Sequence, residues 1–146
     1  MKRLITSLAI LASILGSSVQ AADAVAIDVY RDPNCGCCKA WIEHLENNGF
    51  SVTDHVEKNM SEVKRQLGVP QELASCHTGV VDGRFIEGHV PAADILSMRN
   101  KPDILGLAVP GMPAGSPGME MGDRVDAYDV ISLDQQKKTS VFSSYP

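Results

Sequence analysis

The chain is short of positive charge. Lys and Arg number 13 against 18 Asp and Glu, for a formal charge of −5. That balance argues against nucleic acid as a partner, because a polyanion selects a basic surface. It is compatible with cation traffic. The sequence also lacks an apolar run of the ~20 residues that span a bilayer comfortably. Its longest such run, Leu4 to Leu15, is interrupted by Thr6, Ser7 and Ser13. No internal repeat and no Pro/Gly/Ser-rich domain linker divides the chain. No lipobox-type cysteine follows the apolar run, so no lipid anchor is expected.

The apolar run has a different use. Lys2 and Arg3 precede it and Val19-Gln20-Ala21 follows it, with small residues where a signal peptidase cuts. Residues 1–21 therefore read as a signal peptide cleaved after Ala21, with Ala22 the next choice and an uncleaved anchor the alternative. Cleavage removes two positive charges and leaves residues 22–146 as one domain with a single core. The expected location is the periplasm, with no stable membrane insertion after cleavage.

Three of the four cysteines lie within four residues, in Cys35-Gly36-Cys37-Cys38. Ala24 to Tyr30 before them reads as a strand, rich in β-branched residues. From Gly36 to Asn48 the pattern is helical, with Cys38, Trp41, Ile42 and Leu45 on one apolar face and Gly49 as terminator. Asp32-Pro33-Asn34 reads as a turn able to cap that helix. A Cys-x-x-Cys pair at a strand-to-helix junction is where thioredoxin-like folds keep reactive thiols. Phe50–Val56 reads as a second strand and 61–67 as a short helix capped by Ser61. Residues 76–81 and 84–90 read as a hairpin across Asp82-Gly83. Pro91 opens a helix over Ala92–Asn100. The expected fold is thus α/β and thioredoxin-like: βαβ, helix, β-hairpin, helix. A Gly/Pro/Met-rich loop, Leu107 to Gly122, and a C-terminal hairpin over 128–133 and 139–142 follow.

Export places the cysteines in an oxidising compartment. A Cys35–Cys38 disulfide is feasible within one helical turn, which leaves Cys76 to pair with Cys37 across the fold. A plain dithiol centre has no use for Cys37. In a thioredoxin-like arrangement the turn into the hairpin lies against the start of the first helix. Cys35, Cys37 and Cys38 would then meet Cys76 and His77. A helix N-terminus favours the thiolate, which is both the nucleophile and the metal ligand. Structural zinc sites usually space their cysteines in two separated pairs. Three in one short run suit sulfurs shared among several soft ions better. Met112, Met119 and Met121 add thioethers, which suit Cu(I) and not zinc. Methionine in a loop also serves as plain packing. His89, at a strand end before Pro91, reads as a surface or hydrogen-bonded histidine. His44 and His55 read as solvent-facing, and Trp41 as core beneath the site.

Cys35-Gly36-Cys37-Cys38, Ser75-Cys76-His77-Thr78, Val81-Asp82-Gly83, Ile86-Glu87-Gly88-His89-Val90-Pro91 and Leu107-Ala108-Val109-Pro110-Gly111-Met112-Pro113 together resemble a family of bacterial envelope proteins. That family, long described as a domain of unknown function, includes CopG-type copper-resistance proteins. The resemblance covers about Val25 to Tyr145. It implies a thioredoxin-like fold that binds copper through Cys35, Cys37, Cys38 and Cys76, with His77 and the loop methionines as neighbours. It also implies a cysteine-bridged cluster of several Cu(I) ions, a role in copper tolerance or Cu(I)/Cu(II) interconversion, and other envelope copper-handling proteins as partners. The Thr-x-Pro turn of ordinary thioredoxins and glutaredoxins is absent, and Cys76-His77-Thr78 stands in its place. The competing reading is a thiol–disulfide oxidoreductase in which Cys35 attacks and Cys38 resolves. A disulfide-stapled domain that binds a partner is the third.

Overall fold

The structure is a computed structural model and describes residues 23–146. The expected signal peptide, residues 1–21, lies outside them. Among the described residues no helix is long and apolar enough to cross a membrane.

Seven strands form one mixed sheet in the order β2-β1-β3-β4-β5-β6-β7. In chain order they are β1 (Val25–Arg31), β2 (Phe50–Val56), β3 (His77–Val81), β4 (Arg84–Glu87), β5 (Ile104–Ala108), β6 (Tyr128–Asp134) and β7 (Thr139–Tyr145). The three helices among the described residues are α1 (Gly36–Asn47), α2 (Met60–Gln66) and α3 (Ala92–Arg99). β1 runs parallel to β2 and antiparallel to β3, and β4 runs parallel to β5. Each parallel pair needs a crossover connection, which α1 and α3 supply.

The sheet buries both faces in its central strands. Trp41 and Leu45 of α1 and Ile95 and Met98 of α3 pack with Ile27, Val29, Ile86, Leu107 and Val130 in one cluster. Val69 and Leu73, which follow α2, pack with Phe85, Ala108 and Leu133 in another. The alternation is visible within β4, where Phe85 joins the second cluster and Ile86 the first. Each fully buried large side chain contributes roughly 1.5–3 kcal/mol. Trp41 is also fixed by direction, since its indole N–H donates to the Val90 carbonyl at 2.9 Å. Room for its ring comes from Gly79, where a Cβ would stand 3.3 Å from the ring edge and 3.0 Å from Ile27.

Several expectations need correction. Strand β5 occupies Ile104–Ala108, so the irregular loop starts after Ala108 and not at Leu107. Gly106 interrupts its apolar pattern because the Phe85 ring on the neighbouring strand lies over it, 2.5 Å from where a Cβ would be. Helix α2 starts at Met60, and its cap is Asn59, whose side chain accepts the Glu62 amide proton at 3.3 Å. Ser61 lies inside the helix. β3 begins at His77, one residue past Cys76, and β4 stops at Glu87 instead of Val90. The stop comes at Gly88, whose φ of +71° turns the chain out of the ladder. Pro91 stands at the N-cap position, just outside α3, and makes no side-chain cap bond.

The loop between β5 and β6 is irregular, as its Gly and Pro content predicts, yet Ala114, Ser116 and Pro117 within it are buried. It is held by hydrogen bonds of its own, including Ser116 hydroxyl to the Pro113 carbonyl (2.7 Å) and the Ala114 amide to Asp126 (3.1 Å). Gly118 rests on α1: a Cβ there would lie 2.7 Å from the Trp41 nitrogen and 2.9 Å from the Cys37 carbonyl oxygen, at a φ of +84°. Gly118→Ala should therefore push the loop off the start of α1 and cost about 1–3 kcal/mol of stability. Chemical denaturation checks this, and unchanged stability would mean that the loop is not seated there.

Candidate metal centre

The chain leaves β1 at Arg31 and turns through Asp32–Asn34. Asp32 closes the turn by accepting from the Asn34 amide on its side chain (2.8 Å) and from the Cys35 amide on its carbonyl (3.2 Å). Neither Asp32 nor Asn34 caps α1. Cys35 holds the N-cap position and makes no side-chain cap bond. The three cysteines thus occupy the cap and first turn of α1. Cys38 faces inward with Trp41 and Leu45 and is fully buried, while Cys35 and Cys37 are half-buried. Cys35 and Cys38 are joined by a disulfide, with Cα atoms 5.3 Å apart. Cys37 and Cys76 are free thiols.

Strand pairing brings the fourth sulfur to the other three. In the antiparallel β1–β3 ladder Arg31 stands opposite His77, so the approach to β3 lies beside the exit from β1. Cys76 sits in that approach. All four cysteine sulfurs lie within 4.8 Å of one another, and those of Cys35 and Cys37 are 3.6 Å apart. The expected meeting of Cys35, Cys37 and Cys38 with Cys76 and His77 is present.

A second donor set overlaps the first at one atom. The Cys76 sulfur is 3.1 Å from His77 Nδ1 and 3.3 Å from His89 Nε2. Cys76, His77 and His89 also lie within 4.8 Å of one another. Both imidazoles are fully buried. His89 Nδ1 is 2.8 Å from the Pro117 carbonyl oxygen, which accepts only. Nδ1 therefore carries the proton, and Nε2 presents its lone pair toward the sulfur. His77 packs its ring on Trp41, centroids 4.3 Å apart, and edge-on to His89 at 4.9 Å. Its Nε2 is buried without a hydrogen-bond partner.

His89 was expected at the surface or simply hydrogen-bonded, and its place at the site is the main thing the sequence reading missed. The signal was present. In the β3–β4 ladder Val81 pairs with Arg84 across the Asp82-Gly83 turn, and Thr78 with Glu87. Counting back two more residues on each side puts Cys76 opposite His89. His44 and His55 are not free in solvent either. His44 Nε2 accepts the Ala92 amide proton at 3.1 Å and so caps α3. His55 is half-exposed, bonded to Asp28 at 2.7 Å and stacked on Tyr30.

The methionines are placed less centrally. Met112 is 55 % exposed and Met121 66 % exposed, and Met119 is half-buried in the turn that follows Gly118. Met112 borders a shallow hollow with Pro110, Tyr128 and Ile131. The loop reaches the site through its backbone, at the Pro117 carbonyl.

Burial sets the protonation of these groups. It pushes the Cys76 thiol up to about 11, with the neighbouring Cys37 acting in the same direction. It holds His77 well below the ordinary imidazole value, helped by His89 and by the positive charge of Lys64. It also lowers His89, against the opposing pull of the Pro117 carbonyl. The metal-free site at neutral pH is thus a protonated Cys76 flanked by two neutral imidazoles. A metal ion captured there would have to displace a proton from that thiol.

Two solved structures of the copper resistance protein CopG, its form 2 and form 1, are 65% and 66% identical to this chain, with TM-scores of 0.82 and 0.81. Each alignment covers 84% of this chain, and 99% and 98% of those chains. The chain belongs to the CopG family. A sequence model described as a protein of unknown function, DUF411, matches residues 73–119. That stretch of this CopG-family chain carries Cys76, His77, His89, Met112 and Met119. Among curated proteins no sequence matches.

Neutral buried histidines have a thermodynamic consequence. Below the unfolded imidazole pKa, about 6.5, the unfolded chain takes up protons that the folded CopG-family domain refuses. Each of His77 and His89 that stays neutral should then remove up to about 1.4 kcal/mol of stability per pH unit. Denaturant titrations of metal-free protein at pH 7, 6 and 5 should show stability falling with pH. A flat profile across that window would mean the two rings gain partners on protonation.

Proposed function

We propose that this protein is an exported copper-binding protein that sequesters Cu(I) at Cys35, Cys37, Cys38 and Cys76. The observation that carries the reading is the convergence of four sulfurs within 4.8 Å beside two buried imidazoles, in a chain of the CopG family. Copper is the cargo. Thiolate donors select soft ions, and several sulfurs this close suit bridging among more than one Cu(I). The signal-peptide reading of residues 1–21 supports the periplasm as the place of action, with copper tolerance as the outcome and other envelope copper-handling proteins as its exchange partners. The β2-β1-β3-β4 order, with α1 following β1 and a Cys-x-x-Cys pair at its start, supports a thioredoxin-like reading of that part of the sheet.

The Cys35–Cys38 disulfide gives this site two states. When it is open, four thiols are available. When it is closed, Cys37 and Cys76 remain, with His77 and His89 as neighbours. Closing the dithiol releases two electrons and two protons, enough to reduce two Cu(II) to two Cu(I). Interconversion of the two copper states is therefore within the chemistry of these residues.

The same disulfide favours a second reading, a thiol–disulfide oxidoreductase. Cys35 is half-buried and positioned to attack, while Cys38 is fully buried and positioned to resolve. Cys37 and Cys76 separate the two. Reduced protein should bind more than one Cu(I) per chain in competition with a Cu(I) chelator, and zinc should not displace it. Cys37→Ser and Cys76→Ser should each abolish most of that binding and change insulin-type disulfide reduction little. Full copper loading in both variants, with function lost only in Cys35→Ser, would favour the oxidoreductase.

Met112, Met119 and Met121 complete the proposal as thioether donors of the copper-loaded form. Replacing all three by Leu keeps apolar volume, a swap that usually costs under ~1.5 kcal/mol. The variant should fold, hold Cu(I) less tightly and oxidise faster in air. Equal affinity and equal oxidation rate at matched thermal stability would assign copper to Cys and His alone.

A further inference from the structure

Glu87 is a residue that the proposed copper chemistry does not use, and its placement is costly. Its side chain is fully buried at the end of β4. A buried carboxylate survives only when paired and hydrogen-bonded. Glu87 is both. One oxygen accepts from the Lys64 ammonium (2.5 Å) and from the Ser75 backbone amide (2.6 Å), and the other accepts from the Thr78 hydroxyl (2.6 Å). Lys64 also donates to the Thr78 hydroxyl at 2.9 Å.

Two of these contacts straddle the cysteine. Ser75 and Thr78 are the residues on either side of Cys76-His77. Residues 74–76 belong to no helix or strand, so no ladder fixes Cys76. The next residue on from Glu87 completes the clamp. At Gly88 a Cβ would lie 2.8 Å from the Ser75 Cβ, so the two segments touch there with no side chain between them. One residue further is His89, whose Nε2 faces the Cys76 sulfur.

We propose that Glu87 is a positioning residue for the metal centre. Through Ser75 and Thr78 it holds the Cys76 sulfur at the distance where it meets Cys37 and His89. Lys64 supplies the counter-charge beside the carboxylate in the interior. The inference rests on the copper reading for its consequence, but the geometry it asserts exists without metal.

The test separates anchoring from charge. Lys64→Met with Glu87→Leu removes the buried ion pair and the acceptor together, an exchange that is often neutral for stability. Lys64→Met with Glu87→Gln removes the charge but leaves a carbonyl oxygen to accept from Ser75 and an amide to bond Thr78. Two readouts are needed. The first needs no copper: the alkylation rate of Cys76 in a Cys37→Ser background with the Cys35–Cys38 disulfide closed. The second is Cu(I) affinity with all four cysteines present. The Leu pair should alkylate about tenfold faster and bind Cu(I) roughly 10–100-fold more weakly, the range seen when a residue supporting a metal ligand is lost. The Gln pair should stay within about threefold of the parent protein on both, and the Leu pair should add nothing in a Cys76→Ser background. If the Leu pair does not fold, Thr78→Val removes one anchor alone and should shift both readouts in the same direction. Parent-like alkylation and affinity in the Leu pair, or in Thr78→Val if that is the variant that folds, would overturn the proposal. So would equal losses in the Leu and Gln pairs, which would assign the effect to charge. Altered alkylation in a protein whose parent binds no copper would uphold the positioning and sink the copper reading.

Discussion

β1 pairs parallel with β2 on one side and antiparallel with β3 on the other, and the candidate metal centre depends on that pair of choices. Parallel pairing requires α1 to cross over between β1 and β2, so α1 must start at the end where β1 finishes. Antiparallel pairing requires β3 to start at that same end. The cap and first turn of α1 and the approach to β3 are therefore neighbours. A cysteine placed in each meets the other without any further device. The apolar stripe of α1 then fixes rotation about the helix axis. Burying Trp41 and Leu45 also turns Cys38 inward and leaves Cys35 and Cys37 along the rim.

The floor of the site is unusual in being both dry and polar. His77, Thr78, Glu87 and His89 are all fully buried. Each would be a liability alone, and each is compensated differently. Glu87 is matched with three donors, one of them a cation. His89 donates its Nδ1–H to a backbone carbonyl. His77 remains neutral and keeps one nitrogen without a partner. Its ring is held by Trp41 and His89 instead of by hydrogen bonds. An interior that refuses protons on its histidines and keeps a thiol protonated holds back its donors until something displaces the thiol proton. A soft cation does this better than water, because thiolate binding repays the cost of deprotonation.

Much of this was legible in the sequence. The strand before the cysteines, the helix after them, the Asp82-Gly83 hairpin and the final hairpin follow from periodicity and turn chemistry, and they fall within one to three residues of their observed ends. The convergence of Cys76 with the first three cysteines followed from topology alone. What escaped was set by tertiary contact. β5 carries a glycine in its centre because an aromatic ring from the next strand needs the space, and nothing local announces that. His89 reads locally as a strand-end histidine, and only the hairpin register, carried two residues past the Thr78–Glu87 pair, puts it opposite Cys76. The cap of α2 moved from Ser61 to Asn59 because both residue types cap equally well, and position alone had to choose.

The β5–β6 loop shows how composition leads part of the way. Four glycines and three prolines between Leu107 and Gly122 rule out regular structure, so some other interaction has to give the loop its form. Methionines covering the cysteines would provide one, but two of the three are more than half exposed. The observed answer is backbone. Gly118 lies against α1 closely enough to exclude any side chain, and the preceding carbonyl, that of Pro117, holds the proton of His89. The loop thus sets which nitrogen of His89 faces the sulfur, a task that depends on where its main chain runs and not on which side chains it bears. Gly118 is needed for that approach, and the exposed methionines leave soft donors at the outer surface of the same loop.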